Sequence, residues 1–258
     1  MELHDRRIIV TGGARGIGAA AVRGYTAAGA NVISMSLNQE LGAEVAAAAT
    51  AEGPGKAAFL RVDVSDPEQV AAGFDEAASR LGGLDVLAHA AAIQRSGDAG
   101  GVTVGDWDAM FAVNVRGTML TNQAAHRHMA PSGGGSIINF GSISGLRAEP
   151  GAPAYSASKG AVHSWTRTAA AAWGGDGVRV NAVLPAMVTP MYEAARARLD
   201  EAGRTADYWA NKSTIALGHE YGDPDRDLGP VLVFLASDGS RFITGQLLPV
   251  DGGQAAVR

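Results

Sequence analysis

The feature that most constrains this chain is a regular alternation between short apolar segments and longer alanine-rich segments. The short segments are almost continuously apolar, which is typical of parallel strands that are covered on both faces of a sheet. They lie at Ile8–Thr11, Val32–Met35, Ala58–Val62, Val86–His89, Ser136–Phe140, Val178–Leu184 and Leu247–Val250. The longer segments between them predict helices at about 16–28, 40–51, 67–80, 106–129, 153–173 and 225–237.

This alternation predicts an α/β fold, a Rossmann-type doubly wound sheet of seven parallel strands with helices on both faces. A length of 258 residues suits one large domain, and neither a repeat nor an interdomain linker interrupts the pattern. We therefore expect residues 1–258 to form a single domain.

One segment, at about 189–221, breaks the rhythm because it is helix-prone but polar. It follows the end of a predicted strand, where open α/β sheets bind their ligands. This placement predicts a substrate lid. A surface insertion with two helices fits the same pattern equally well.

The composition excludes several classes of partner and site. The chain has no cysteine, so it can form neither a disulfide nor a thiolate metal site, and this fits a reducing compartment such as the cytoplasm. The polar N-terminus lacks the layout of a secretory signal, and no apolar run reaches the length of about 20 residues that spans a bilayer. A net charge of −5 without a basic cluster argues against a nucleic-acid surface. We therefore expect a small, soluble partner.

A glycine-rich turn joins the first strand to the first helix. Gly12, Gly16 and Gly18 occur in the run Thr-Gly-Gly-Ala-Arg-Gly-Ile-Gly, which allows a tight turn and a close approach by a ligand. The N-terminus of the following helix can offer free N–H groups and its positive dipole end to a pyrophosphate. The turn therefore predicts a dinucleotide site.

A second group of residues indicates acid–base chemistry. Tyr155 and Lys159 are four apart and share one face of a predicted helix. A nearby ammonium favours the phenolate form of a tyrosine and brings its pKa towards the working range. Ser142 lies just after a predicted strand, where its hydroxyl can hold a substrate oxygen. No metal site is expected, because His126 and His128 point to nearly opposite sides of their helix.

With these motifs in place, the sequence resembles the short-chain dehydrogenase/reductase family, in its short single-domain branch, over essentially the whole chain. The glycine spacing, the interval of thirteen residues between Ser142 and Tyr155, and the run Asn114-Val115-Arg116-Gly117 carry the resemblance. The segments Asn181 to Pro185 and Val250 to Gly253 extend it towards the C-terminus.

The resemblance implies roles for individual residues. The catalytic set would be Ser142, Tyr155, Lys159 and Asn114, with the asparagine supporting a water that relays protons. The cofactor contacts would be Gly12, Arg15, Gly16, Ile17, Gly18, Ser36, Asp63, Val64, Ala90, Ala91, Tyr155, Lys159, Pro185, Val188 and Thr189. The substrate contacts would be Ser142, Gln94, Leu146, Met187, Tyr192 and Trp209. The family also implies a homotetramer.

Two departures from the family pattern concern the cofactor site. His89-Ala90-Ala91-Ala92 stands where the family usually has Asn-Asn-Ala-Gly, so two amides are lost and a methyl group is added. Ala186 follows Pro185 where the family usually has glycine. Neither change affects the predicted catalytic set.

The choice between NADP and NAD depends on the end of the second strand. NAD-selective enzymes carry an acidic residue there, which accepts hydrogen bonds from the ribose hydroxyls. This chain has Ser36, and Arg15 can offer a charged fork to a 2′-phosphate. The sequence therefore favours NADP over NAD, although Arg15 could instead pack over the adenine.

The combined prediction is an NAD(P)-dependent oxidoreductase that interconverts a ketone and a secondary alcohol of a neutral, medium-sized molecule. An alternative is reduction of 3-oxoacyl groups on a carrier protein, for which Arg116 and Arg127 give little of the basic surface required. A non-catalytic dinucleotide sensor is a third interpretation, disfavoured because Tyr155 and Lys159 are both present.

Overall fold

The computed structural model describes residues 2–255, apart from the side chains of Met191, Ala194, Ala195 and Ala210. Its centre is a parallel sheet of seven strands in the order β3-β2-β1-β4-β5-β6-β7. The strands are β1 (Arg7–Thr11), β2 (Asn31–Ser36), β3 (Lys56–Arg61), β4 (Val86–His89), β5 (Gly135–Phe140), β6 (Val178–Pro185) and β7 (Leu247–Val250). This confirms the doubly wound parallel sheet, and each observed strand overlaps its predicted segment.

The residues of β1 show why the strands are apolar on both faces. Ile8 and Val10 point into one hydrophobic cluster, whereas Ile9 points into the cluster on the opposite face. Successive side chains of a strand alternate between faces, so a sheet covered on both sides needs a continuous apolar run. The core is therefore two layers, one on each side of the sheet.

Helices cover both layers. They are α1 (Gly16–Ala27), α2 (Gln39–Glu52), α3 (Pro67–Leu81), α4 (Val104–Met110), α5 (Gly117–Met129), α6 (Pro153–Trp173), α7 (Pro190–Arg196), α8 (Glu201–Ala210) and α9 (Gly229–Ala236). Within residues 2–255, none of these helices is long and apolar enough to cross a membrane.

Two predicted helices differ in detail from those observed. The segment predicted at 106–129 consists of α4 and α5 joined by a π-helical turn at Phe111–Arg116. The segment predicted at 225–237 begins with a π-helical turn at Pro224–Leu228, which Asp223 caps, before α9. Hydrophobic periodicity predicts that a helix forms but does not distinguish one wider turn inside it.

The sheet order creates the crevice that the site needs. β1 pairs with β2 on one side and with β4 on the other, so Thr11 lies opposite both Met35 and His89. From β1 the chain continues to β2 on one side, and from β4 it continues to β5 on the other side. The loops after β1 and β4 therefore diverge. Ligands of open α/β sheets bind at such a switch point.

The segment 189–221 leaves the sheet edge and returns to it. Val188 N donates to the carbonyl oxygen of Gly222 at 2.9 Å, and Gly222 N donates to that of Ala186 at 3.0 Å. These bonds hold the two ends of the segment together after β6, and α7 and α8 lie between these ends in the chain. The arrangement is compatible with a lid, which stays a prediction.

Candidate active site

A cavity of about 1100 Å³ runs along the carboxyl ends of the central strands. Its walls bring together most of the residues predicted for the cofactor. Those that line it are Gly12, Arg15, Gly16, Ile17, Gly18, Ser36, Asp63, Val64, Ala90, Ala91, Tyr155, Lys159, Pro185 and Thr189. Val188 does not line it. Its backbone N–H donates to the carbonyl oxygen of Gly222 at the base of the neighbouring segment.

The glycine turn after β1 is shaped by close backbone contacts. Gly12 has a φ of +70°, and a Cβ there would lie 2.7 Å from the backbone nitrogen of Ala91. A Cβ on Gly18 would lie 2.2 Å from the carbonyl oxygen of Gly12. At Gly16, by contrast, the nearest atom to a Cβ would be Cδ of Pro190 at 3.7 Å, so space remains above the turn.

The start of α1 is suited to an anionic group. Its capping residue, Arg15, gives no side-chain hydrogen bond to the first turn within the described part of the chain, and that turn carries no acidic residue. The N–H groups and the positive end of the helix dipole are therefore open to a phosphate. Together with the space above Gly16, this fits the pyrophosphate of a dinucleotide.

The far end of the cavity has the features expected for an adenosine. Ser36 at the end of β2 is partly buried, while Leu37 and Arg15 are exposed beside it. Asp63 Oδ1 accepts from the backbone nitrogen and the hydroxyl of Ser65, at 2.9 and 2.7 Å. These bonds fix the loop after β3, on which Asp63 and Val64 face the cavity.

Tyr155 and Ser142 meet at the middle of the cavity. Tyr155 lies in the first turn of α6, and Ser142 begins a 3₁₀ turn, Ile143–Gly145, just after β5. Burial raises the pKa of Tyr155 to about 12, and a hydrogen bond with Ser142 acts in the opposite direction. The tyrosine is therefore a neutral phenol at neutral pH, the form that can donate a proton.

Lys159 lies one helical turn after Tyr155 and is almost completely buried. Its Nζ donates to the carbonyl oxygen of Phe140 at 2.7 Å and lies 5.5 Å from the centre of the Tyr155 ring. Burial lowers the pKa of Lys159 to about 8, so the ammonium form still predominates at neutral pH. Tyr155 and Lys159 thus lie close together, and the lysine keeps its positive charge at neutral pH.

Asn114 is buried in the π-helical turn and does not line the cavity. Its Nδ2 donates to the carbonyl oxygen of Ile93 at 2.9 Å and to Ser158 Oγ at 3.0 Å. Its Oδ1 accepts from Ile93 N at 2.9 Å. The side chain therefore fastens the loop after β4 to α6, and its support of a relay water stays a prediction.

The structure separates the predicted substrate residues into two groups. Ser142, Gln94, Met187 and Tyr192 line the cavity. Leu146 and Trp209 are 55% and 68% exposed and lie outside its wall. Trp209 packs edge-on against Tyr208 on α8. A large apolar residue in a loop or on a short polar helix does not reveal its direction from sequence alone.

His163 is a site residue that the sequence analysis missed. Its Nε2 accepts a hydrogen bond from the backbone nitrogen of Ser142 at 3.3 Å. Burial and the nearby charges of Lys159 and Arg167 lower its pKa to about 4, which keeps it a neutral acceptor. Its position, four residues after Lys159 on the same helix face, was a usable signal.

Other cavity residues also went unpredicted, and they lie beyond Ser142 and Tyr155. Their sequence surroundings match no motif, and they converge only through the fold. They are Arg147, Glu149, Arg198, Asn211, Tyr221 and Gln254.

His89 shows how the chain accommodates its departure from the family pattern. Its Nδ1 lies 2.8 Å from Thr11 Oγ1 and 3.0 Å from Thr121 Oγ1, and the ring is buried. Burial, reinforced by the charge of Lys159, lowers the pKa of His89 to about 3. A neutral imidazole thus joins β4 to β1 and α5 beneath the cofactor cavity.

The chain is similar to known dehydrogenases and reductases over almost its whole length. The family profile described as enoyl-(acyl carrier protein) reductase matches residues 12–255. The chain is 38% identical to D-threitol dehydrogenase from Mycolicibacterium smegmatis, over 98% of this chain and 94% of that protein. It is 36% identical to a probable galactose dehydrogenase from Rhizobium meliloti, over 98% of this chain and 96% of that protein.

Solved structures extend the similarity to the whole fold. A short-chain type dehydrogenase/reductase from Mycobacterium ulcerans superposes with a TM-score of 0.91 at 30% sequence identity. The match covers 99% of this chain and 91% of that one.

The buried state of His89 makes stability depend on pH. Its ordinary pKa is 6.5 and its folded-state pKa is about 3, so only the unfolded chain gains a proton there as the pH falls below 6.5. Stability is full above that value and is lost progressively down to about pH 3. At about pH 5 the loss is about 2 kcal/mol. We expect His89→Asn to remove this contribution and to leave that of His163, whose pKa burial also lowers, measured by urea unfolding at about pH 7 and about pH 5.

The matched control is His219→Asn. His219 is exposed and has a φ of 54°, a conformation that asparagine tolerates well. This variant should keep the pH dependence of the wild type. Parallel stability profiles for the wild type and His89→Asn would contradict the assignment.

Proposed function

The chain belongs to the short-chain dehydrogenase/reductase family, and from this premise we propose that Tyr155, Ser142 and Lys159 carry its reaction. The protein is an NAD(P)-dependent oxidoreductase that interconverts alcohols and carbonyl compounds. The observation that carries the residue assignment is the convergence of a buried ammonium, a phenol and a serine hydroxyl on one cavity behind the glycine turn.

Each side chain has a distinct part in the reaction. Bound NAD(P) supplies the hydride in reduction and accepts it in oxidation. Ser142 donates a hydrogen bond that holds the substrate oxygen, and Tyr155 gives that oxygen a proton in reduction. In oxidation Tyr155 takes the proton back, which requires its raised pKa to fall. The ammonium of Lys159 favours that change, because a nearby positive charge stabilises the phenolate.

The binding residues divide between the two ligands. Gly12, Arg15, Gly16, Ile17 and Gly18 would hold the phosphates, and Asp63 with Val64 would contact the adenine. Lys159 would also bind the ribose next to the nicotinamide, near Pro185 and Thr189. Gln94, Met187 and Tyr192 would border a medium-sized substrate, covered by the lid at 189–221.

The charges at the adenosine end support NADP as the preferred cofactor. Ser36 provides a hydroxyl where NAD-selective enzymes present a carboxylate. Arg15 is exposed at the cavity wall and can pair with a 2′-phosphate. Asn38 has an uncharged side chain and adds no competing charge. Its side-chain oxygen accepts from Leu41 N and caps α2.

The alternative reduction of carrier-bound 3-oxoacyl groups has less support from this surface. Arg116, one of its two candidate docking residues, donates to the carbonyl oxygen of Ser65 at 3.1 Å. Turnover of a panel of free ketones, compared with that of acyl thioesters, distinguishes the two substrates. A homotetramer is part of the proposal on family grounds, and its test is the mass in solution.

Tyr155→Phe removes the proton-transfer hydroxyl and keeps the ring. We expect kcat to fall by about 10²-fold or more, since general acid–base catalysis contributes at least that much. NADPH binding should stay largely intact, as measured by fluorescence titration. Tyr208→Phe, outside the cavity wall, is the control and should keep full activity. Near-native turnover by Tyr155→Phe would remove the tyrosine from the mechanism.

Lys159→Ala should lower activity by a similar factor of about 10²-fold and should also weaken NADPH binding, because one ammonium serves both the tyrosine and the ribose. Lys159→Arg should restore little, since a planar guanidinium does not replace a compact charge. Lys56→Ala, at an exposed position, is the matched control. Full activity of the arginine variant would argue against a specific role for the ammonium.

The cofactor proposal is tested by the ratio of kcat/KM for NADPH to that for NADH. Ser36→Asp should shift this ratio towards NADH by about tenfold or more, roughly 1.4 kcal/mol, because its carboxylate repels a 2′-phosphate. Ser132→Asp adds the same charge at an exposed position outside this cavity and should leave the ratio unchanged. A wild type that already prefers NADH tenfold would overturn the preference for NADP.

A further inference from the structure

The cavity wall beyond the reacting groups carries a guanidinium that protein groups leave incompletely satisfied. Arg147 lines the cavity, and its side chain is 21% exposed. Its Nη1 is buried yet has no hydrogen-bond partner among the residues that the structure describes. A buried donor of this kind costs free energy unless a ligand satisfies it.

Glu149, the ion-pair partner of Arg147 among the described residues, does not satisfy this donor. Glu149 Oε2 lies 4.0 Å from Nη2 of Arg147, beyond hydrogen-bond distance, and its side chain is 33% exposed. The interaction is therefore a long, partly solvated ion pair, which contributes little. The guanidinium on the cavity wall is therefore not neutralised by a close ion pair.

The position of Arg147 relates it directly to the reacting group. Its backbone nitrogen donates to the carbonyl oxygen of Ile143 at 3.1 Å, which closes the turn that Ser142 begins. The turn thus begins at Ser142, whose hydroxyl would hold the reacting oxygen, and it leads directly to the cation of Arg147. Both residues line the same cavity.

Two aromatic residues line the same cavity as Ser142 and Arg147. Tyr192 and Tyr221 pack edge to face, with ring centres 4.8 Å apart, and both line the cavity. Burial and the charge of Asp207 raise the pKa of Tyr221 to about 12, while the charge of Arg147 acts in the opposite direction. Tyr221 is thus neutral and close enough to sense the guanidinium. A carbon skeleton or ring fits along these two faces.

We propose that the substrate is an oxo or hydroxy acid whose carboxylate binds Arg147 while its carbonyl or hydroxyl oxygen lies between Ser142 and Tyr155. A guanidinium binds a carboxylate through two parallel, charge-assisted hydrogen bonds. The inference rests on the proposed function and adds an anionic group to a substrate that the sequence alone predicts to be neutral.

Binding of an unreactive pair of ligands tests the inference without turnover. Cyclohexanecarboxylate and cyclohexanecarboxamide have nearly the same shape and differ in charge. Their Kd values would be measured by calorimetry on the NADP complexes of the wild type, Arg147→Gln and Arg147→Lys. Arg241→Gln, which removes a charge at an exposed position outside this cavity, is the matched control.

We expect the wild type to bind the acid about tenfold or more tightly than the amide, the range for hydrogen bonds to a charged group. Arg147→Gln should abolish that difference, Arg147→Lys should keep part of it, and Arg241→Gln should keep all of it. Equal affinities for acid and amide in the wild type, no detectable binding of the acid, or a preference that survives in Arg147→Gln would overturn the proposal.

Turnover separates failure of this inference from failure of the proposed function. The wild type should reduce the keto acid 4-oxocyclohexanecarboxylate with a higher kcat/KM than the corresponding carboxamide, and Arg147→Gln should reduce both compounds equally well. Dinucleotide-dependent reduction of the two compounds at equal rates by the wild type would retain the proposed function and reject the role of Arg147. Far-ultraviolet circular dichroism and NADPH affinity would establish that each variant is folded.

Discussion

The buried ammonium of Lys159 is the interaction on which the rest of the site depends. A desolvated charge persists only with a good partner, and Nζ finds one in the carbonyl oxygen of Phe140 at 2.7 Å. A protonated histidine nearby would repel this ammonium. Burial and the charge of Lys159 together lower the pKa of His89 to about 3 and that of His163 to about 4, so both rings stay neutral at neutral pH. Positive charge is thereby concentrated beside Tyr155, where the proposed proton transfer would use it.

One face of α6 organises the reacting turn. Tyr155, Lys159 and His163 follow each other at intervals of four residues, and the lysine and the histidine hold the backbone of Phe140 and Ser142. The turn approaches this face so closely that a Cβ on Gly141 or Gly145 would lie 2.4 or 2.7 Å from the His163 ring. Displacing His163 would therefore move Ser142 without touching the substrate.

The sequence predicts those features that repeat along it or that backbone geometry demands. The seven strands were predicted because burial on both faces requires apolar runs, and the glycine turn because Gly12 and Gly18 have no room for a side chain. The π-helical turns were not predicted, because their sequences have the same apolar pattern as an α-helix. His163 could have been found from its spacing. Arg147 could not, because only the fold reveals that its inner donor is buried and unpartnered among the described residues.

The two cationic groups to which we assign roles, Arg147 and Lys159, would act on different parts of the reaction. Reduction adds a hydride and a proton at one carbonyl, so a distant carboxylate carries the same charge in substrate, transition state and product. A contact from Arg147 would then stabilise all three equally, which lowers KM and leaves kcat little changed. In the proposed mechanism Lys159 faces a group whose charge does change, since Tyr155 would alternate between phenol and phenolate. Its electrostatic effect therefore differs between the ground state and the transition state, and it acts on kcat. The fold places Arg147 in the loop between β5 and α6 and Lys159 on the buried face of α6, so the two proposed effects come from separate elements and can be altered separately.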